Sequence, residues 1–476
     1  MLNRRKNGII IRYSIIFQKG CFSLVPQAGE SGNGELTFKV ITFGCPVNQY
    51  ESAAIESAML ERGFVKAKGR ARINIINSCV VTGAAAAEAR RVARKIKRDD
   101  PRALVVLCGC YPQVYYRELQ QELPEVDIIT GTRGRSALPG IISRYLKDEG
   151  SAPEVLVQEH GKNGGFEEMP PVSEYGRARP VVKIQEGCNE FCTYCIVRQA
   201  RGKSRSLPAA KVLDQVRRLL EAGYREIVLA GNQLGLYGYD LGDHDLPWLI
   251  EEISNLPYDF RIRLNYVEPV NVTGRLLEVV AGNPRVCDHL YIPVQSCSDR
   301  VLKRMGRRYR AADFAAIVNR ARELAPGISI WTDLIVGFPG EEESDHVTTM
   351  EIIRSLELAH LHVFPYSPRP GTPAARLADS VRPDVKRRRA EEMQELDRQL
   401  VYNYNRSMLG KELRVLVEKV ELDGTDCFGE GYAGNYVRVK TLLKNNLPGG
   451  DQPGGHFVTV MVDAAHPHGV VGRQIL

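Results

Sequence analysis

No uninterrupted apolar run in the 476 residues is long enough to cross a bilayer, so neither a helical membrane span nor a membrane partner is expected. A clean secretory signal is missing too. Met1 to Phe17 is basic and then apolar, but Arg12 interrupts the apolar part and no small-residue cleavage site follows convincingly. The expected location is therefore the cytoplasm. Strong charge of either sign is absent: 64 Lys and Arg stand against 57 Asp and Glu, a net +7. That mild excess permits a nucleic-acid partner without requiring one. An even, disulfide-like set of cysteines is also lacking. The eleven present cluster at metal-like spacings, which points to a reducing compartment and metal chemistry. The length allows two or three domains with sizeable cores.

The stretch that organises the rest is Gln185-Glu186-Gly187-Cys188-Asn189-Glu190-Phe191-Cys192-Thr193-Tyr194-Cys195. Its C-x3-C-x2-C spacing lets three thiolates converge on one soft metal centre. No fourth Cys or His follows within reach of the loop. A structural zinc site would need a fourth ligand from elsewhere. A four-iron cluster held by three thiolates instead keeps one iron free for another ligand.

Residues 1–35 read as a disordered extension, with the flexible stretch Gly29 to Gly34 and a Cys21 of no assigned role. Residues 36–148 alternate short apolar runs with helical segments. The runs are Lys39–Phe43, Ile73–Asn77, Leu104–Leu107 and Val126–Ile129; the helices are Tyr50–Arg62, Ala84–Arg98 and Leu138–Leu146. That pattern predicts a parallel sheet with helices on both faces. Cys45, Cys79 and Cys110 each follow a strand. The carboxyl ends of parallel strands share one edge, so the three can meet as a second three-thiolate site. Taken singly, each is better read as packing; taken together, at equivalent points of three strand-loop units, a second three-thiolate cluster is the better reading. Cys108 is expected in the core.

Residues 149–175, rich in Gly, Glu, Pro and Ser, read as a linker. Residues 176–408 return to β/α alternation, with strands Val181–Ile184, Glu226–Ala230, Phe260–Asn265, Leu290–Pro293, Ser329–Val336 and His360–Phe364. Residues 409–476 carry strand-like segments Glu412–Glu418, Tyr432–Val439 and Phe457–Val462 between Gly, Asn and Asp turns. They predict a small antiparallel barrel. The basic run Lys386–Arg389 reads as a solvated helix face.

Both sets of three cysteines, in this order, resemble the radical S-adenosylmethionine (SAM) methylthiotransferases. So do Gly44-Cys45-x-x-Asn48-x-x-Glu51-Ser52, Asn77-x-Cys79 and Gly109-Cys110-x-x-Gln113. Val47-Asn48-Gln49-Tyr50, Val80-Val81-Thr82 and Ala200-Arg201-Gly202 are most similar to the branch acting on threonylcarbamoyladenosine in tRNA. The resemblance implies an α/β multidomain chain: an N-terminal methylthiotransferase domain, a central partial (β/α)6 radical SAM barrel and a C-terminal RNA-binding, TRAM-like β-barrel. It implies two [4Fe-4S] clusters, one on Cys188, Cys192 and Cys195 that cleaves SAM and an auxiliary one on Cys45, Cys79 and Cys110 that carries sulfur. It places SAM contacts at Tyr194, Gly231, Asn232, Gln295, Ser296, Asp333, Gly337 and Pro339. Two positions depart from the family pattern, Cys297 where Gly is usual and Gln233 where the branch often has His. RNA contacts are expected from Arg198, Arg201, Lys203, Arg205, Tyr436, Arg438 and Lys440.

The activity so implied is radical insertion of a methylthio group at C2 of the hypermodified adenosine beside the anticodon. Its partners are the tRNA anticodon loop, an external electron donor and a sulfur source, with the enzyme a monomer. Alternatives are the same chemistry on isopentenyladenosine in tRNA or on an aspartate of a ribosomal protein, and a non-enzymatic, zinc-holding RNA protein.

Overall fold

The structure, a computed structural model, describes residues 36–148, 152–161, 165–172, 175–242, 244–424, 426–444 and 454–475. The extension expected at 1–35, with Cys21, lies outside the described residues. The first domain is built on six parallel strands: β1 (Thr37–Thr42), β2 (Val65–Lys66), β3 (Ile73–Ser78), β4 (Leu104–Gly109), β5 (Ile128–Thr130) and β6 (Glu154–Leu156). Their order is β2-β1-β3-β4-β5-β6. β3 and β4 are buried along their whole length, because helices cover both faces and each run is nearly all apolar. The covering helices are α1 (Pro46–Glu61), α2 (Gly83–Asp99), α3 (Cys110–Glu122) and α4 (Leu138–Lys147).

α1 starts directly after Cys45 and not at Tyr50, because Pro46 occupies its first position with a backbone already set for a helix. Thr82 caps α2, accepting from the Ala85 amide at 3.3 Å. Cys108 is buried with Ile75, Val106 and Ile128 on one face of the sheet. The linker expected at 149–175 needs correction. Glu154–Leu156 pairs in parallel with β5 and closes the sheet, a short apolar run hidden in a polar stretch.

The second domain has six parallel strands and one ribbon. In chain order they are β7 (Val181–Lys183), the ribbon β8 (Gln185–Glu186) and β9 (Arg205–Ser206), then β10 (Glu226–Ala230), β11 (Arg261–Leu264), β12 (His289–Tyr291), β13 (Ser329–Val336) and β14 (His360–Pro365). β7, β10 and β11 form one three-stranded sheet and β12, β13 and β14 another. A single bridge, Ile262 to Val286, joins them. The result is the open, six-unit partial barrel, with the large core packed behind it. The basic run on helix Pro383–Arg406 is not a solvated face throughout. Arg389 is buried and donates to Glu341 at 2.8 Å, and Arg388 pairs with Glu343 at 2.6 Å.

The third domain is a closed barrel of β15 (Glu412–Asp423), β16 (Asp426–Ala433), β17 (Arg438–Leu442), β18 (His456–His466) and β19 (Gly469–Gln474), in the order β15-β16-β17-β19-β18. It is not wholly antiparallel, since β17 and β19 run parallel. The strand expected at Tyr432–Val439 is a hairpin turn, with Tyr436 at φ +67°. Gly434 and Asn435 supply that turn.

The same turn docks on the second domain. Glu226, Arg261 and His289 open their strands, so they sit at the amino-terminal end of the partial barrel. Arg263 donates to the carbonyls of Ala433 and Gly434 at 3.1 and 2.9 Å, and Arg261 to that of Tyr432 at 2.8 Å. The Tyr436 ring lies under the Arg263 guanidinium at 4.1 Å and against Trp331 and His289 at 4.6 and 4.9 Å. Tyr436 thus forms the floor of the partial barrel.

Candidate active site

β1, β3 and β4 are neighbours, so Cys45, Cys79 and Cys110 follow three adjacent strands. Neighbouring strands lie about 4.8 Å apart, which brings all three residues to one short edge. The residues around them hold the loops. Gly44 has φ +121°, and a Cβ there would lie 2.7 Å from the Cys79 Cβ, so only glycine fits. Asn77 donates to the Asn48 carbonyl and the Ser52 hydroxyl, both at 3.0 Å. Asn48 donates to the Phe43 carbonyl at 3.0 Å. Gln113 accepts from the Thr132 amide at 2.8 Å and donates to the Gln158 carbonyl at 2.9 Å. The polar residues of the motifs therefore act as a scaffold for the thiols.

The second set lies between β8 and β9. Gly187, at φ +78°, presses against the Lys203 carbonyl, where a side chain would collide. The Gly187 amide donates to Asn232 at 3.1 Å, and the Cys188 amide to the Gly202 carbonyl at 3.1 Å. Gln233 presents its oxygen to the Cys188 sulfur at 3.2 Å and accepts from the Asn189 amide at 3.2 Å. Arg307 donates to the Tyr194 hydroxyl at 2.5 Å and to Glu268 at 2.6 Å.

The thiols are poor ligands until a cation joins them. Burial pushes Cys79 up to about 12 and Cys110 up to about 11, with Arg201 pulling the latter back. Burial likewise takes Cys188 and Cys192 to about 12, against the pull of the Glu190 amide and of Arg307 respectively. A positively charged centre supplies what the thiolates need. Among the described residues, no three His, Cys, Asp or Glu side chains converge on one ion. Cys108 and Cys297 are fully buried in the apolar cores. We expect Cys108→Ala and Cys297→Ala to cost about 1 kcal/mol each and to leave the reconstituted iron content unchanged.

Between the two cysteine sets lies a buried ionic junction. Glu51 and Arg135 come from the first domain; Lys183, Glu186 and Arg201 come from the second. All five are fully buried. Arg201 pairs with Glu51 and, at 2.9 Å, with Glu186; Lys183 reaches both carboxylates at 3.3 Å. Arg135 pairs with Glu51. Burial opposes ionisation of Glu186, but Lys183 and Arg201 overcome it and take it down to about 2. These residues were missed from sequence as a unit, although charges inside the apolar run Val181 to Glu186 were a signal.

The expected RNA contacts divide. Arg201 is 0% exposed and Arg205 is buried, and both turn inward: Arg201 donates to Glu186 and Arg205 to the Arg201 carbonyl. Tyr436 is the floor of the partial barrel, and Arg438 is paired with Glu430 at 2.7 Å. Lys203 and Lys440 are exposed. Arg198 stacks at 3.8 Å on Phe191, which is 66% exposed beside Cys192.

Of the residues expected to contact SAM, Gly231, Asn232, Gln295, Ser296, Gly337 and Pro339 follow the carboxyl ends of strands, Tyr194 lies in the cysteine loop and Asp333 lies within β13. Asp333 is half-buried, accepts from the Tyr291 hydroxyl and lies 3.5 Å from His362. Gly231 packs on Gln185. Gln295 takes φ +68° and bridges to Leu334. Ser296 is buried and accepts from the Ser298 amide at 3.1 Å, the Gly337 amide donates to Glu341 at 3.0 Å, and the Pro339 carbonyl accepts from Arg304 at 3.1 Å. These last three serve the loop framework.

Comparison with known proteins bears on the same two regions. Residues 182–353 match the radical SAM superfamily, and residues 37–131 match the uncharacterized protein family UPF0004. The threonylcarbamoyladenosine tRNA methylthiotransferase MtaB of Thermotoga maritima is 35% identical, over 91% of this chain and 96% of that protein. Its Bacillus subtilis counterpart is 37% identical, over 90% and 97%. A tRNA-2-methylthio-N(6)-dimethylallyladenosine synthase of Carboxydothermus hydrogenoformans is 34% identical, over 87% and 97%. Among solved structures, the radical SAM methyltransferase TsrM of Kitasatospora setae superposes with a TM-score of 0.52 at 15% identity, over 72% of this chain and 74% of that one. That likeness concerns the fold alone. The radical SAM domain implies SAM and [4Fe-4S] clusters as cofactors, and the two sets of three thiols, two of them buried and four partly so, fit them. With both domains matched and full-length relatives above 30% identity, the chain belongs to the radical SAM methylthiotransferase family.

Proposed function

We propose that the protein transfers a methylthio group to C2 of the threonylcarbamoyl-modified adenosine beside the anticodon of a tRNA. The observation that carries the reading is the pair of three-thiol sites on adjoining domains, fastened together by one buried ionic junction. Relatives at 35% and 37% identity are named for that substrate. When bound, the clusters and SAM supply reductive carbon–sulfur cleavage and the sulfur that is transferred.

In this reading Cys188, Cys192 and Cys195 hold the SAM-cleaving cluster, and Cys45, Cys79 and Cys110 the auxiliary one. The protein's own part is to bind, orient and keep water away. Asn232 and Gln233 fix the Cys188 loop through its amides. Arg307 fixes Tyr194 and Glu268 beside Cys192. Asp333 and Tyr291 offer a polar pair to a ribose or a base inside the partial barrel. Phe191, with Arg198 on one face, leaves its other face for a nucleobase. A loop nucleotide is already unstacked, so presenting it costs little. An external electron donor and a sulfur source complete the reaction.

Nucleoside mass spectrometry of tRNA from a deletion strain tests the substrate. The 2-methylthio form of threonylcarbamoyladenosine should vanish and its unthiolated parent accumulate. Loss of the isopentenyladenosine product instead would overturn the substrate assignment. In the purified protein, Cys188→Ala, Cys192→Ala or Cys195→Ala should each lower 5′-deoxyadenosine formation to background while the other cluster stays loaded.

A further inference from the structure

We infer that Arg201 is a positioning residue for the auxiliary cluster, raising its reduction potential through an N–H bond to the Cys110 sulfur. The inference rests on the assignment of Cys45, Cys79 and Cys110 to that cluster. Arg201 ends α5 (Val197–Arg201), the helix that follows the other cysteine loop. Its side chain leaves its own domain and is wholly buried in the junction.

Every arm of the guanidinium is used. Nε donates to the Cys110 Sγ at 3.0 Å. Nη1 donates to Glu186 at 2.9 Å and also to Glu51. Nη2 donates to Asn48 Oδ1 and Glu51 Oε2, both at 2.9 Å. Asn48 belongs to the Cys45 loop, and its Oδ1 lies 3.7 Å from the Cys45 sulfur. One side chain thus reaches the segments of two of the three ligands, from the domain that cleaves SAM.

An N–H bond to a ligating sulfur stabilises the negative charge that grows when the cluster gains an electron, and so raises its potential. A charged donor in a dry junction strengthens the effect. The two carboxylates do not cancel it, because Arg135 and Lys183 also pair with them, and Nε stays on the sulfur. Lysine would keep the charge and lose the fork that serves sulfur, amide and carboxylates at once.

The test uses the full-length chain with Cys188, Cys192 and Cys195 all changed to Ala, so that only the auxiliary cluster is bound. After anaerobic reconstitution, the cluster is titrated with dithionite and followed by EPR. Three proteins are compared: one with Arg201, one with Arg201→Lys, and one with Arg201→Met plus Glu186→Gln, which avoids stranding a buried carboxylate. The midpoint should fall from Arg to Lys to Met, with a changed EPR line shape. Equal midpoints at equal iron and sulfide content would overturn the inference. If the Met and Gln variant binds no iron, the Lys protein decides: a lower midpoint supports the role and an unchanged one ends it. Failure of the parent triple variant to bind iron would instead overturn the two-cluster assignment itself.

Discussion

With Cys45, Cys79 and Cys110 all changed to Ala, the protein is expected to cleave SAM and yet make no methylthio product. These residues follow three adjacent strands of the first domain, whereas the Cys188 loop, proposed to cleave SAM, is built between β8 and β9 of the second. The triple variant should bind one four-iron cluster, release 5′-deoxyadenosine under strong reductant, and leave the nucleoside unthiolated. Product should drop below detection, because no sulfur is presented to the substrate carbon. If the three thiols were strand-end packing only, iron content would not change and methylthiolation would survive on a less stable protein. Iron, 5′-deoxyadenosine and modified nucleoside, quantified on one preparation, separate the outcomes. Full product would end the two-cluster reading.

Glu226→Ala is expected to be the most damaging single change away from the cysteines. Glu226 is fully buried and accepts from Arg261 at 2.6 Å and from Arg263. Those arginines also carry the hydrogen bonds to the C-terminal barrel. Removing the carboxylate strands buried cations, a loss of about 3–5 kcal/mol. Chemical denaturation should show that loss, and limited proteolysis should release the barrel early. Asp259→Ala serves as the control. It breaks the exposed pair with Arg414 across the same two domains and should cost less than about 1 kcal/mol.

The pH dependence at this interface has a definite sign. Burial opposes ionisation of Glu226, and Arg261, Arg263 and Arg179 reverse that, holding it well below its ordinary value of 4.5. The stability it contributes is therefore complete above that value and is lost as the pH falls towards the lower, folded one. Acid should loosen the barrel in the wild type and leave little further to loosen in Glu226→Ala.

Much of the architecture was legible because it is written in local patterns. The β/α alternation located all six strands of the partial barrel, and the cysteines fell at strand ends as expected. The motif residues Gly44, Asn48, Ser52, Asn77 and Gln113 turned out to be the scaffold of one thiol site. What stayed hidden depends on partners distant in sequence. Arg198, Arg201, Lys203 and Arg205 read as one basic run, yet Glu51 and Glu186 draw Arg201 wholly inside while Lys203 stays out. β6 is three residues in a polar stretch, too short to show a period. The turn at Gly434-Asn435 carried a hairpin signal, but the apolar residues on both sides made one strand look plausible.

Tyr436 and the hairpin turn that carries it stop the partial barrel at its base. The amino-terminal end of the partial barrel is therefore plugged, and the cysteine loops lie at the other end. Under the proposed function the RNA covers that other end, which makes the substrate the lid of its own reaction. A chain ending before Glu412 would be open at both ends. It would admit solvent and reductant from below and consume SAM without product, however well its cysteines were loaded.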